Sequence, residues 1–347
     1  MVHNYVNGEM RSCFVIGSPL QLINAIEARD QFHKDQFNIL MIFWSTDIEY
    51  TQMQSLIDQT WSEVHFYHTN KFFRLFYPIM LFGILQTLRG IECLYLGYPF
   101  KIRAHIANTI KAKKNVILDD GSASIVIANQ LNDSEFLRKK LPSWYDILLR
   151  RSISLEYTKN AFFFTAYNEI NWPNNKTIFN GYSALKKKIK AEEKNLDILF
   201  IGSPIGKELV SKEKERDLIL AMIQFYSHKK VLYAVHRFED LLYLQNEFKD
   251  MSLNFIRFDT AIEVALLQKG LYPRVVSSFC SSALVTLSTL YNCHAEALVI
   301  PHDCMSVEHA KNLDIVYQNY KNKGIHLKYL SESHGVGSKP AYNSLTQ

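Results

Sequence analysis

The sequence predicts an α/β protein built from two Rossmann-like domains in tandem, each with a parallel sheet. The two halves of the chain begin with the same pattern: an apolar run, then Gly-Ser-Pro, then apolar residues at helical spacing. The two segments are SCFVIGSPLQLINAIEA from residue 12 and LDILFIGSPIGKELV from residue 196. Further apolar runs alternate with helical patterns in both halves, which is typical of parallel sheets with crossover helices.

The later apolar runs extend each sheet. In the first half they are FNILMIFW, ECLYLGY and NVILDD, and in the second KVLYAVH, LNFIRF, PRVVSSF and EALVIP. We therefore expect a first domain over residues 1–180, a second over 195–330 and a polar tail over 331–347. Proline, asparagines, a glycine and a charge run over residues 172–195 indicate a linker between the domains.

Composition indicates a globular protein. The chain has 347 residues, of which 48% are hydrophobic and 21% charged, so it can bury sizeable cores and is neither disordered nor fibrous. A net charge of +5 suits an anionic ligand or a membrane surface but is too small to imply nucleic acid. The five cysteines have no metal-ligand spacing and indicate reduced thiols in a cytosolic protein.

Two stretches bear on membranes. FYPIMLFGILQTL, residues 76–88, is too short to span a bilayer and contains Pro78 and Gly83, so we expect a core or interfacial helix. Residues 138–151 mix basic side chains with aromatic residues and leucines, which suits a peripheral membrane contact or a packed surface helix. The N-terminus lacks a signal-peptide pattern. We expect a cytoplasmic protein with a possible contact at the inner face of the membrane.

Neither Gly-Ser-Pro turn is a GxGxxG fingerprint, and Walker, HExxH and GxSxG motifs are absent from the sequence. Open α/β sheets nevertheless bind ligands at the carboxyl ends of their strands. Two such sheets facing each other would form a cleft between the domains. Ser18 is then expected on one side of the cleft, with Gly202 and Ser203 on the other.

The first candidate site follows the strand NVIL and consists of Asp119, Asp120, Gly121 and Ser122. Adjacent residues of a strand point to opposite sides, so we expect one carboxylate in the cleft and the other bonded to backbone or capping a helix. A carboxylate in a cleft can serve as a general base. Taken alone, the motif favours a structural turn.

The second candidate site is VLYAVHRFED, in which a strand ends at His236 and Arg237. Histidine can donate a proton or a hydrogen bond to a phosphate, and arginine can clamp one. A surface His-Arg pair is the alternative. Glu239 and Asp240 are expected to start the next helix, where acidic residues favour the helix dipole.

The third and fourth candidates lie at helix starts. In RVVSSFCSSALVTL a strand leads to Ser281 and Ser282, where hydroxyls and free amides could bind an anion without a metal. Helix capping explains one serine but not both. Glu263, early in a helix, could hold a ribose or simply occupy a favourable first turn.

The order of LDDG (118–121), VHRFE (235–239) and SSAL (281–284) resembles the bacterial sialyltransferases of the lipooligosaccharide and capsular polysialyltransferase families. The resemblance covers most of the chain as short islands. One departure is that Arg237 stands where those families have proline after histidine. The resemblance implies a GT-B glycosyltransferase that transfers a nonulosonic acid from a CMP donor to a cell-surface glycan with inversion, without a metal or cofactor.

Carried over residue by residue, the resemblance assigns roles to the candidates. Asp120 matches the general base, and His236 matches the group that stabilises or protonates the departing phosphate. Ser281 and Ser282 match the phosphate-binding pair, and Glu263 matches a ribose or base contact. A CMP-Kdo or UDP-sugar transferase, and a non-catalytic two-lobed binding protein, are the alternatives.

Overall fold

The computed structural model describes residues 10–330, apart from 71, 74–75, 122, 133–154, 168–169, 171, 173, 175, 190–193 and 252. Ser122, the basic-aromatic stretch 138–151 and the tail 331–347 therefore lie outside the described residues.

Seven described strands form the first sheet, in the order β3-β2-β1-β4-β5-β6-β7, and every neighbouring pair is parallel. The order reverses between β1 and β4, which makes this a Rossmann-type sheet with its switch point there. The strands are β1 (Arg11–Ile16), β2 (Phe37–Trp44), β3 (Glu63–His68), β4 (Cys93–Leu96), β5 (Lys114–Leu118), β6 (Phe162–Thr165) and β7 (Thr177–Phe179).

Two helices of the first half begin with side-chain caps. Ser18 caps the first of them by accepting a hydrogen bond from the Gln21 amide at 3.2 Å. Thr46 and Glu49 form a capping box at the second. The helices are α1 (Pro19–Phe32), α2 (Asp47–Gln54), α3 (Tyr77–Thr87), α4 (Ile102–Ile110), α5 (Ala123–Asn132) and α6 (Ser183–Lys186).

The second sheet repeats this topology with six parallel described strands in the order β10-β9-β8-β11-β12-β13. Its strands are β8 (Leu196–Ile201), β9 (Val231–Ala234), β10 (Asn254–Ile256), β11 (Pro273–Ser278), β12 (His294–Val299) and β13 (His326–Tyr329). Its helices are α7 (Ile205–Glu208), α8 (Lys212–Phe225), α9 (Leu241–Glu247), α10 (Ile262–Gln268), α11 (Ala283–Tyr291) and α12 (Val307–Asn322). The prediction of two parallel α/β domains is confirmed.

The first sheet is buried on both faces. Six of the eight residues of β2 are buried, and five of them, residues 39–43, form one continuous apolar run. Along β1, Phe14 and Ile16 pack into one core cluster, whereas Cys13 and Val15 pack into another on the opposite face. This alternation is the period-2 geometry of a strand, and it fixes the register that brings the strand ends together.

Part of the predicted linker, residues 172–195, belongs instead to the first domain. It contains β7, the edge strand of the first sheet, and α6, whose Ala184 and Leu185 amides donate to Glu27 of α1 at 3.0 and 2.7 Å. Trp172 is 1% exposed. The polar composition that indicated a linker reflects a short edge strand and a one-turn helix, which bury few apolar residues.

The domains touch through several hydrogen bonds. Gln52 Nε2 donates to the Phe258 carbonyl at 3.3 Å, and the Ser55 hydroxyl donates to Thr260 Oγ1 at 2.7 Å. At the far end of the chain, α12 packs against α5 of the first domain, and Lys323 Nζ donates to the Ala166 carbonyl at 2.9 Å. These contacts hold the two sheets in one arrangement.

Helix α3, which contains most of the apolar stretch 76–88, is partly core and partly surface. Leu81 and Ile84 are buried, whereas Ile79 and Phe82 are 70% and 65% exposed. Within the described residues, no helix is long and apolar enough to cross a membrane.

Candidate active site

The candidate residues lie at the carboxyl ends of the strands of both sheets, and the two sets meet across the domain boundary. Gly121 follows β5 and has a positive φ of 68°. A Cβ built on Gly121 would lie 2.4 Å from both Cβ and Oγ of Ser282, at the start of α11. The loop after β5 therefore touches the predicted anion site directly, and only glycine fits at this position.

Asp119 fixes this loop. Its carboxylate is 1% exposed and accepts four hydrogen bonds at 2.7–3.1 Å, from Gly121 N, Ser124 Oγ, Thr165 Oγ1 and Ala166 N. Burial raises the pKa of Asp119 to about 6, although the hydrogen bonds oppose that rise. All four partners belong to the protein, so Asp119 ties the loop to the end of β6.

Asp120 is half-buried beside the first Gly-Ser-Pro turn. Its Oδ1 accepts a hydrogen bond from Ser18 Oγ at 3.1 Å, and its amide donates to Ser124 Oγ at 2.7 Å. Burial raises the pKa of Asp120 above the usual value of a carboxyl, while hydrogen bonds from Gln21 and Ser18 and the charges of Arg103 and Arg237 act against that rise. A carboxylate with a raised pKa is a better proton acceptor, provided that it is ionised at the working pH.

His236 follows β9 in the second domain and is neutral at pH 7. Burial, reinforced by the charges of Arg237, Arg257 and Lys207, lowers its pKa to about 4. Its Nδ1 faces the Phe238 amide at 3.3 Å and accepts from it, which places the proton of the neutral ring on Nε2. In this environment the imidazole acts as a hydrogen-bond donor; a phosphate dianion beside it would raise the pKa.

Glu239 was predicted to start the next helix, and this prediction is wrong. Helix α9 starts at Leu241, and Asp240 is its N-cap. Glu239 instead turns back and accepts from His236 N at 2.6 Å and from the Tyr233 hydroxyl at 2.8 Å. Burial raises its pKa to about 7. Glu239 therefore positions the histidine loop, although nothing in the VHRFE pattern distinguishes this role from a first-turn acid.

The second Gly-Ser-Pro turn supports the same loop. A Cβ on Gly202 would lie 2.1 Å from Glu239 Oε2, so the carboxylate packs directly against this glycine. Ser203 is 5% exposed, and its hydroxyl lies 3.3 Å from Ser278 Oγ. Both residues contact the protein's own side chains here, and their predicted role in donor binding stays a prediction.

The two serines before α11 differ. Ser281 Oγ accepts from the Ala283 amide at 3.3 Å, which is a capping interaction. Ser282 is the N-cap residue by position but makes no side-chain cap, and among the described residues its hydroxyl has no hydrogen-bond partner. The Ser282 hydroxyl is thus left as a hydrogen-bond donor at this helix N-terminus, and its predicted role in phosphate binding stays a prediction.

Glu263 and Arg237, both predicted to bind the donor, contact other side chains of the protein. Glu263, at the start of α10, is 4% exposed and accepts from the Thr286 hydroxyl of α11 at 2.7 Å. Burial raises its pKa. It connects two helices of the second domain, and its ribose contact stays a prediction.

Arg237 reaches toward the first domain. Its Nε lies 3.6 Å from Oε1 of Glu49 in α2, and its guanidinium stacks 4.8 Å from the centroid of the Phe238 ring. Its charge acts on Asp120 as well as on His236. The residue that replaces proline after the histidine therefore bridges the two domains.

Among the described residues, no three His, Cys, Asp or Glu side chains are grouped closely enough to hold a metal ion. The site consists of a carboxylate on one domain, and an imidazole, hydroxyls and a helix N-terminus on the other. Such a set can take a proton on one side and stabilise negative charge on the other.

Structural comparison defines the fold. No protein-family model and no curated protein sequence matches the chain. A 2,6-sialyltransferase from a Vibrionaceae Photobacterium species, solved with CMP and lactose, matches with a TM-score of 0.53 at 11% identity, over 93% of this chain and 78% of that one.

A putative UDP-N-acetylglucosamine 2-epimerase from Listeria monocytogenes matches with a TM-score of 0.53 at 9% identity, over 91% of this chain and 88% of that one. An Arabidopsis thaliana protein solved with UDP-L-rhamnose matches with a TM-score of 0.52 at 7% identity, over 93% and 85%. The chain has the GT-B fold, two Rossmann-like domains facing across a cleft, as predicted. At these identities the likeness shows the fold alone.

Proposed function

We propose that the protein is an inverting glycosyltransferase that moves sialic acid or a related nonulosonic acid from its CMP donor to a glycan. One observation carries the proposal. The loop that holds Asp120 touches Ser282 at the start of α11 through Gly121, so a proton acceptor and a phosphate site from different domains share one cleft.

The chemistry follows from this arrangement. Asp120 takes the proton of the acceptor hydroxyl, whose oxygen attacks the anomeric carbon. The bond from that carbon to the CMP phosphate breaks, and the phosphate leaves with the bonding electrons. His236 Nε2–H, the Ser282 hydroxyl and the α11 N-terminus stabilise the leaving phosphate. Attack from the side opposite the phosphate inverts the configuration.

Replacement of Asp120 tests this function. We expect Asp120→Asn to reduce transfer at least about 100-fold and leave CMP binding unchanged, because general-base catalysis contributes on the order of 10²–10⁴-fold and CMP contacts the other domain. Transfer from CMP-sialic acid, CMP-Kdo and UDP-sugars is measured by mass spectrometry in excess chelator. Transfer from a UDP-sugar alone favours the alternative donor, and ligand binding without any transfer favours a binding protein.

The proposed acceptor is a cell-surface glycan, and the proposed location is the inner face of the cytoplasmic membrane. The exposed apolar side chains of Ile79 and Phe82 on α3 support a peripheral membrane contact. Co-sedimentation with anionic vesicles measures it, and an Ile79→Ser, Phe82→Ser double variant that sediments equally well would count against α3 as the contact.

A further inference from the structure

A guanidinium lies beside the proposed base and has no assigned role. Arg103 is in the first turn of α4, and its Nη2 lies close to Gly17, where an added Cβ would meet it at 2.2 Å. Its charge acts on Asp120, and the hydroxyls of Tyr98 and Tyr157 act on it. Arg103 is therefore on the acceptor side of the cleft, near the carboxylate that takes the proton.

Arg103 is unsatisfied within the described part of the chain. Its Nε is buried without a hydrogen-bond partner, and the residue forms neither a hydrogen bond nor an ion pair with any described residue. Its guanidinium carbon lies 5.9 Å from the centroid of the Phe43 ring. Burial lowers its pKa, yet a guanidinium stays charged in proteins. A guanidinium whose buried Nε has no hydrogen-bond partner is costly, which indicates that a further anion completes this site.

Tyr98 offers a second donor nearby. It follows β4 and is half-buried, its ring packs on Phe100 at 5.0 Å, and its hydroxyl has no hydrogen-bond partner among the described residues. The Tyr157 hydroxyl, by contrast, donates to the Pro99 carbonyl. A guanidinium and a free hydroxyl together provide the donors that a carboxylate accepts.

We propose that Arg103, assisted by Tyr98, binds the carboxylate of a sugar-acid substrate. This inference rests on the proposed function. In a nonulosonic acid the carboxylate is attached to the anomeric carbon, which the acceptor oxygen must contact while Asp120 takes its proton. The donor carboxylate then has to lie within a few ångströms of Asp120. An acidic sugar of the acceptor is the other source of the same group.

Charge tuning of Asp120 is the competing role for Arg103. Arg237 already acts on Asp120 from the second domain. If Arg103 only tuned the base, its loss would shift the pH–rate profile and affect acidic and neutral substrates equally. If it binds a carboxylate, its loss affects the acidic substrates selectively.

The donor arm of the test is a calorimetric titration of the CMP-saturated protein with N-acetylneuraminate and with its methyl ester. We expect the acid to bind at least about tenfold more tightly, as a charge-assisted hydrogen bond implies. Arg103→Gln should abolish the preference, Arg103→Lys should keep part of it, and Tyr98→Phe should reduce it several-fold. Arg274→Gln, at an exposed arginine, is the matched control and should leave the preference intact.

The acceptor arm compares the binding of sialyllactose with that of lactose in the same variants. Loss of acid preference in the donor arm assigns the donor carboxylate, and loss in the acceptor arm assigns the acceptor carboxylate. The same titrations without CMP measure the preference of Arg103 for a carboxylate independently of the nucleotide. A failure of the CMP-donor proposal can therefore be distinguished from a failure of this inference.

Equal binding of acid and neutral ligand by the unsubstituted protein in both arms would overturn the proposal. So would an acid preference that persists in Arg103→Gln. If Arg103→Gln fails to fold, as judged by its melting temperature and circular dichroism, Arg103→Lys and Tyr98→Phe carry the decision, and an unchanged preference in both overturns it.

Discussion

At the scale of single residues, Asp119 and Asp120 are adjacent and yet have different surroundings. Asp119 accepts four hydrogen bonds from side chains and backbone amides of its loop and of the end of β6, whereas Asp120 accepts from the side chains of Ser18 and Gln21. The difference arises because successive strand-end residues face opposite sides. One carboxylate thereby fixes the loop, and the other keeps an oxygen that a substrate hydroxyl can use.

The pH dependence of the rate should follow Asp120. A base must be ionised, so kcat/KM rises with pH as Asp120 loses its proton, with a midpoint above the usual carboxyl value because burial raises its pKa. His236, with a pKa of about 4, is already neutral above pH 5 and should add no fall in rate between pH 6 and 8.

Glu239 is the control for this profile, because its pKa of about 7 falls in the same range and it contacts His236 N. Steady-state rates from pH 5 to 9 are compared for the unsubstituted protein and Glu239→Gln. A midpoint that disappears in Glu239→Gln would show that the histidine loop, not Asp120, sets the profile.

At the scale of elements, the turns between strands and helices bring the site together. Gly121 combines a positive φ with a direct contact to Ser282, so any side chain there separates the loop after β5 from the start of α11. The geometry of one turn thus sets the distance between the acceptor side and the donor side.

Gly121→Ala should reduce transfer activity in addition to the loss of stability that backbone strain causes. Gly270 also has a positive φ, 61°, but a Cβ there meets nothing within 4 Å, so Gly270→Ala is the matched control. We expect Gly270→Ala to lose about 1–2 kcal/mol of unfolding free energy with activity kept, and Gly121→Ala to lose at least as much together with most transfer. Denaturant melts and rates measure both; equal activity in the two variants would contradict the role of the contact.

The strands and helices were predictable from the sequence because the spacing of apolar residues and the Gly-Ser-Pro turns depend on local structure. Asp119, Asp120, Ser281 and Ser282 were found as polar residues directly after apolar strands or before a helix. Glu239 was misassigned because its role depends on the chain turning back on itself. Arg103 was missed altogether, since KIRAH gives no local signal. Its significance comes from Gly17 and Asp120, which follow β1 and β5 and are distant from it in sequence.

At the scale of the whole molecule, the orientation of the Arg237 side chain could not be predicted from the sequence. Its predicted role as a phosphate clamp came from its place after His236, but the direction of its side chain depends on how the domains pack. In the structure its Nε lies 3.6 Å from Glu49 across the domain boundary. The clamp stays a prediction, and a bridge between domains is the competing role.

A double-mutant cycle on Glu49→Gln and Arg237→Gln separates these roles. A partly buried ion pair should give a coupling of roughly 0.5–1 kcal/mol in unfolding free energy, with CMP affinity changed less than about threefold. Denaturant unfolding and CMP titration are the measurements. Additive stability effects with a large loss of CMP affinity would favour the phosphate clamp instead.

The return of α12 to the first domain has a mechanical consequence. The chain passes between the domains once before β8, and it contacts the first domain again through α12 and Lys323. Two domains joined at one point can rotate in any direction. Two domains joined at two points can rotate only about the line that connects the two points. Relative motion of the domains should therefore be limited to rotation about that line.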